Sequence, residues 1–464
     1  MKIFCTLFVL VFFYISLFAQ PKEAKLLGIW HDSTLQTSFY NIYSDIFGYS
    51  SKGREYGIIG STFGTHIIDV TNPKKPKEVV RIKGGESSTQ VIHRDYDTYK
   101  NYLYGVCDEG TSTLQIIDLS YLPDSVKLVY NSNEFFTRCH NTYIDTAKAR
   151  LYTLGHGGGQ SPRAMRVFDL SNPIKPKAVG GIDSIGGFFL DYVHDAFIRN
   201  DTAYLNCGNQ GFAVADFKDA AKPKLLGTLT QYPGAGYNHS GYLTDNGQYY
   251  VMADENWGKP EKVVDVRDLQ DMKIVSTFNA ESSASQIPHN PLIKGNLVYT
   301  AYYYDGLQVH DISNPAKPKR VAYYDSCLIP DAKGYAGSWG VYPFLPSGNI
   351  IFADMQHGMF IVEGVEKKAL AEENTVLENA TFTVAPQPAD AFLMLEWTQE
   401  KILSEMQFSL YSVNGTLMER QKIMPSYLGK QQFRFDIKNL NTGLYLLQAA
   451  NSEFNGTKKV MVQK

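Results

Sequence analysis

Along most of the chain short apolar runs alternate with polar turns, and one phrase keeps returning: an apolar strand, an acid, then a turn rich in Asn, Pro and Lys. The copies read THIIDVTNPKKPKEVV, LQIIDLSYLPDSVKLV, MRVFDLSNPIKPKAVG, FAVADFKDAAKPKLLG, KVVDVRDLQDMKIVS, LQVHDISNPAKPKRVA and a degenerate MFIVEGVEKKA. Their anchoring acids are Asp69, Asp118, Asp169, Asp216, Asp265, Asp311 and Glu363, separated by 49, 51, 47, 49, 46 and 52 residues. A period near fifty is that of one four-stranded propeller blade. The sixth repeat shows all four strands. Gly295-Asn296, Asp305-Gly306 and Asn314-Pro-Ala-Lys-Pro318 are turn residues that divide it into four apolar runs. The repeated acid stands just before the third turn, where its carboxylate can accept backbone N–H groups, so all seven are read as structural.

The seventh repeat stops after Phe360-Ile-Val-Glu-Gly-Val365 without a fourth strand. Ala24-Lys-Leu-Leu-Gly-Ile-Trp30 mimics Pro223-Lys-Leu-Leu-Gly-Thr-Leu229, the fourth strand of repeat four. The start of the chain is therefore expected to complete the last blade, leaving only short, protected sheet edges. The fold predicted is all-β: a seven-bladed β-propeller closed by an N-terminal strand, over residues 20–366, followed by a small Ig-like β-sandwich.

The two ends have different textures. Residues 1–19 carry Lys2, then an apolar run and Ala19, which reads as a signal peptide cut after Ala19. No later stretch has the ~20 apolar residues a membrane-spanning helix needs. Residues 367–379 are charged and lack alternation, so they read as a linker. From residue 380 a second β pattern begins, with a hairpin signal at Asn414-Gly415. The segments FSLYSVNGTLMERQ, FDIKNLNTGLYLLQ and the terminal KKVMVQK make residues 380–464 resemble the C-terminal sorting domain of the type IX secretion system of Bacteroidetes. Ala385-Pro-Gln-Pro-Ala389 departs mildly from the Pro-Asn-Pro-like opening of that family. The resemblance implies an Ig-like sandwich recognised by the outer-membrane export machinery, and a secreted or surface-attached protein. The repeats themselves resemble LVIVD repeats. With Tyr192-Val-His-Asp-Ala196, Tyr232-Pro-Gly-Ala-Gly-Tyr-Asn-His239 and Ile287-Pro-His-Asn290, the middle of the chain is similar to the choice-of-anchor B family. That similarity implies an extracellular propeller and supplies no reaction.

Charge adds an exclusion. With 44 Lys+Arg against 47 Asp+Glu the net charge is −3, which lacks the basic footprint of a nucleic-acid binder. Beyond residue 19 four cysteines remain, Cys107, Cys139, Cys207 and Cys327, which allow three pairings or none.

The candidate chemistry is a column of histidines. His140, His194, His239 and His289 each begin a first strand, 54, 45 and 50 residues apart. First strands line a propeller's channel, so the column is expected at one mouth, on the face that also carries the loops with Asp108-Glu109, His156-Gly-Gly-Gly159 and Asp254-Glu-Asn-Trp257. The Lys-Pro-Lys turns fall on the opposite face. Two readings follow. Either the four imidazoles bind a divalent transition metal, or each ties its strand to the adjacent blade. Asn141, Asp195, Asn290, Asp254, Glu255, Trp257 and Trp339 are the candidate ligand contacts around them. No HExxH and no Gly-x-Ser-x-Gly elbow is present. The expectation is therefore a binding module for an extracellular ligand, glycan or protein. A metal-dependent extracellular hydrolase or lyase is the alternative.

Overall fold

The computed structural model describes residues 21–157, 164–281, 286–329, 334–365, 382–399, 406–412, 417–424, 429–450 and 455–464. The signal segment 1–19, the linker 367–379, the Asn414-Gly415 turn and Gly158–Gly159 lie outside them. The chain divides into two compact units, up to Gly364 and from Val365.

In the first unit each repeat folds into one antiparallel sheet. The inner strands of blades 1 to 7 are Tyr43–Ser51, Arg94–Tyr99, Arg138–Asp145, Asp195–Arg199, Asn238–Leu243, Pro288–Lys294 and Ser338–Tyr342. Each of these packs against the next, and the seventh packs against the first, so the ring is closed. The outer strand of blade 7 is Leu26–Trp30, as the mimicry predicts. Its register matches that of blade 4. Leu26 faces Val362 and Gly28 faces Ile361 with Leu27 bulged out; Leu225 faces Ala215 and Gly227 faces Val214 with Leu226 bulged out. Both glycines are dictated by close approach. A Cβ on Gly28 would sit 2.1 Å from the Pro73 carbonyl oxygen of blade 1, and one on Gly227 would sit 1.8 Å from that of Leu269 in blade 5. Lys22–Glu23 adds a short parallel strand to the outer edge of blade 6, which the sequence pattern does not announce.

Six of the seven repeated acids work as expected. Asp69, Asp118, Asp169, Asp216, Asp265 and Asp311 each accept the N–H two residues on, at 2.7 to 3.1 Å. Asn72, Asn172, Asn314, Asp219 and Asp268 do the same at the next step of the turn. The phrase Asp-x-x-Asn is thus two successive side-chain-to-backbone turns that satisfy the loop's own donors. Between blades the core is apolar, as in the Ile182, Val193, Leu205, Ala213 and Phe217 cluster. Among the described residues no disulfide joins Cys107, Cys139, Cys207 and Cys327.

The second unit is a two-sheet sandwich. Thr383–Ala385, Phe392–Gln399 and Gly429–Asp436 form one sheet; Leu417–Ile423, Met406–Ser412, Gly443–Ala450 and Asn455–Val462 form the other. Alternate residues Leu393, Leu395, Trp397, Phe408, Leu410, Leu447 and Val460 meet in its core.

Candidate functional site

The mouth is built by a backbone irregularity. In blade 5 Asn238 pairs with Asp254 and Ser240 with Ala253, leaving His239 as the extra residue. In blade 6 Pro288 pairs with Tyr302 and Asn290 with Ala301, leaving His289. In blade 4 the His194 N–H and the residue after it both face Asn206. Such a bulge re-aims one side chain without breaking the strand. Here it turns the imidazoles toward one another around the channel.

The result is a closed circuit of six rings. Centroid separations are 5.0 Å for His93–His140, 4.1 Å for His140–His194, 3.9 Å for His194–His239, 4.3 Å for His239–His289, 4.8 Å for His289–Trp339 and 4.9 Å for Trp339–His93. Six blades contribute. Blade 1 presents only Ser44, whose hydroxyl accepts the Arg94 N–H, and His93 reaches Trp339 directly. Tyrosines rim the circuit: Tyr192 beside His140 and His194, Tyr237 beside His194, Tyr303 beside His289, and Tyr335, half-exposed, beside Tyr303.

Carboxylates reach in from the loops between second and third strands. Glu109 Oε1 lies 2.6 Å from His93 Nδ1 and Asp108 Oδ2 lies 2.9 Å from His140 Nδ1. Burial alone would strip His93 of its proton, but the Glu109 carboxylate outweighs it and holds the imidazole above its ordinary range. At His140 burial wins over Asp108, and its pKa is lowered. His194 and His239 are depressed well below the usual value by burial and by their imidazole neighbours, and His289 falls to about 3. These three are neutral at pH 7. His239 Nδ1 bonds the His289 carbonyl at 3.1 Å, and His289 Nδ1 bonds the Trp339 carbonyl at 2.5 Å. A carbonyl only accepts, so both Nδ1 atoms carry the proton and both Nε2 atoms carry a bare lone pair. Glu255 faces those lone pairs, 3.7 and 3.8 Å away. Burial raises its carboxyl to about 7, against a hydrogen bond from the Tyr303 hydroxyl at 2.5 Å.

The predicted contacts divide. His140, His194, His239, His289, Glu255 and Trp339 come together at the mouth. Asn141 and Asp195 bond each other at 3.0 Å, one step down the channel, and Asn290 bonds the Trp339 carbonyl at 3.4 Å. Asp254 is buried and engaged by Lys262 at 2.9 Å, by the Tyr232 hydroxyl and by the Gly236 N–H, which leaves it inaccessible to a ligand. Trp257 is 46% exposed on its loop. His156 is buried, stacked on Phe136 and bonded through Nε2 to Thr153 Oγ1 at 2.8 Å. Sequence reasoning left out His93, Glu109 and the four tyrosines as site residues. The Tyr-x-His spacing of Tyr192–His194 and Tyr237–His239 was the available signal.

Below the mouth a second tier of acids lines the channel. Asp97 and Asp195 are pushed up to about 7 by burial, and Asp45 and Asp95 are raised by burial and by the neighbouring carboxylates. A further grouping, Asp32, His66 and Glu78, lies elsewhere in blade 1. There His66 Nδ1 is taken by Glu78 at 2.8 Å and Nε2 by Ser61 Oγ at 2.8 Å, so the imidazole has no lone pair to offer.

Comparison with known proteins agrees with this architecture. Residues 383–463 match the secretion system C-terminal sorting domain, and residues 292–326 match the LVIVD repeat. No curated protein matches the chain. Among solved structures, the WD40 repeats of RRP9 are 10% identical with a TM-score of 0.54, covering 74% of this chain and 98% of that one. The β-propeller domain of Cps50 (Swd1) from Myceliophteria thermophila is 9% identical with a TM-score of 0.48, covering 73% and 98%. The RRP9 likeness is one of fold alone. The sorting domain sends the chain through the type IX secretion system to the cell surface or the extracellular space.

Proposed function

We propose that this exported propeller, with its LVIVD repeat and its sorting domain, is a binding module that takes an extracellular ligand, glycan or protein at the histidine-lined mouth. One observation carries the reading: the closed circuit of five imidazoles and one indole, rimmed by Tyr192, Tyr237, Tyr303 and Tyr335. Flat rigid rings lose little entropy on binding, and neutral imidazoles offer both donors and acceptors. The polar turns of the opposite face are spent on their own backbone. The domain division that fits this reading is a propeller over 20–366, a linker over 367–379 and a sorting domain over 380–464. Glycan and peptide arrays probed with the full chain lacking residues 1–19 test the proposal. Binding lost in Tyr335→Ala and Tyr237→Ala supports it; binding untouched by both variants removes the mouth from the account. A metal-dependent hydrolase or lyase is a second reading, favoured by the grouping of His239, Glu255 and His289.

A further inference from the structure

The donor atoms of His239, His289 and Glu255 lie within 4.8 Å of one another, and no atom of the three is committed in a way that forbids a shared cation. In a tetrahedral zinc site with bonds near 2.0–2.2 Å, neighbouring donors stand roughly 3.4 Å apart. Glu255 Oε2 stands 3.7 Å from His239 Nε2 and its other oxygen, Oε1, 3.8 Å from His289 Nε2, both too long for hydrogen bonds and a few tenths of an ångström wider than that spacing. The three groups therefore face one another across a gap of about the size a metal ion closes.

The surroundings point the same way. Both imidazoles donate Nδ1–H to a backbone carbonyl of the following blade, the outer contact that orients a metal-binding histidine. Those carbonyls sit at the irregular step of the inner strands of blades 6 and 7, between paired residues on either side, which positions the Nε2 atoms. Tyr303 holds one oxygen of Glu255, the usual arrangement for a ligating carboxylate. A buried, unpartnered atom is also present: His194 Nδ1, on the ring next to His239, has no hydrogen-bond partner. His140 is different. Its Nδ1 is taken by Asp108, and its nitrogens do not belong to the group of donor atoms lying within 4.8 Å of one another.

We infer that His239, His289 and Glu255 bind a divalent first-row transition metal, with an open position facing the channel mouth. Two imidazoles and one carboxylate suit zinc, and with open positions also ferrous iron. The open position accepts water or an oxygen donor of an incoming ligand, such as a carboxylate. The inference deepens the binding reading and rests on it only in requiring that solutes reach the mouth.

The test uses the full chain lacking residues 1–19, stripped with a chelator and titrated with ZnCl₂ by calorimetry, with CoCl₂ absorbance in parallel. One zinc per chain and intense four-coordinate cobalt bands are expected. His239→Ala, His289→Ala and Glu255→Gln should each weaken zinc by about 100-fold, and Tyr303→Phe, a positioning residue, by about 10-fold. Asp216→Ala, in the turn after a third strand, should leave the affinity unchanged. Absence of stoichiometric uptake of either metal by the parent protein overturns the inference without any variant having to fold. So does undiminished uptake by the folded His239→Ala/His289→Ala protein. Repeating the arrays in chelator separates the two ideas. Ligand capture that persists in a protein without zinc affinity ends the metal site and leaves the binding mouth standing. Zinc uptake with no mouth-dependent ligand does the reverse.

Discussion

The rim of Asp–Asn turns and the histidine-lined mouth are the two ends of the same repeat, and they use polar residues in opposite ways. At the rim Asp69 and Asp118 would be raised by burial alone, but donors on Thr71 and Ser120 outweigh it and hold both carboxyls below their ordinary value. Deeper in the channel Asp45, Asp95, Asp97 and Asp195 are raised instead. The residue type is the same and the surroundings differ. Both sets accept N–H groups, but each rim acid is partly in solvent, whereas the channel acids lie in the desolvated interior of the channel. There burial outweighs the bonds from Thr98, Ile144, Thr142 and Ala196, with neighbouring carboxylates adding to it at Asp45 and Asp95. A polar group that satisfies its own loop recurs blade after blade. A polar group aimed at the axis meets its copies from the other blades, and the blades must then differ.

The largest effect should come from the rim. Gly28→Val drives a side chain into the Pro73 carbonyl, so a loss of about 3 kcal/mol is expected in denaturant unfolding, with zinc affinity of the folded fraction unchanged. A loss below half a kcal/mol would mean that the N-terminal strand is not needed to close the ring. Next, Asp169→Ala and Asp216→Ala should each cost about 1 kcal/mol and should add in the double variant, because each acid serves only its own turn. Strong non-additivity would show that the rim acids are coupled across blades as the channel acids are.

The channel makes a prediction in pH. Between the unfolded carboxylate value and about 7, Asp97 and Asp195 hold protons in the native state that the unfolded chain has lost, so raising pH through this window destabilises the fold. The buried imidazoles act oppositely. His289, at about 3, is neutral in the native state where the unfolded chain is protonated, so raising pH toward the unfolded histidine value stabilises. Above about pH 6.5 the imidazole contribution is complete and the carboxylate one continues. His93, held protonated by Glu109, adds to the same loss as its own proton leaves. Asp45, raised to about 8, carries the loss further, so melting temperature should fall by a few degrees from about pH 6.5 to 8, and Asp45→Asn should shrink that fall. A rise over this range would contradict the channel's assignment. The smallest effect is expected at the mouth's outer edge: Tyr335→Ala, half-exposed, should change stability by less than about 0.5 kcal/mol while abolishing ligand capture.

The periodic part of this protein is written in its sequence. The acid spacing and the Asn-Pro turns prescribe blade and turn, because each depends on contacts within one strand or with the next one; the Leu-Leu-Gly echo between residues 26–28 and 225–227 prescribes closure because it copies an outer strand, although its partners, Val362 and Ile361, lie at the far end of the ring. The four histidines are legible as a column for the same reason. Their partners are not. His93 lies one residue before its strand, and Glu109 and Glu255 come from loops whose reach depends on the ring. Which imidazole nitrogen is bare depends on a carbonyl some fifty residues away in the next blade. Spacing along a strand is a local quantity that a chain carries with it, while the distance between side chains of different blades exists only once seven sheets have closed around an axis.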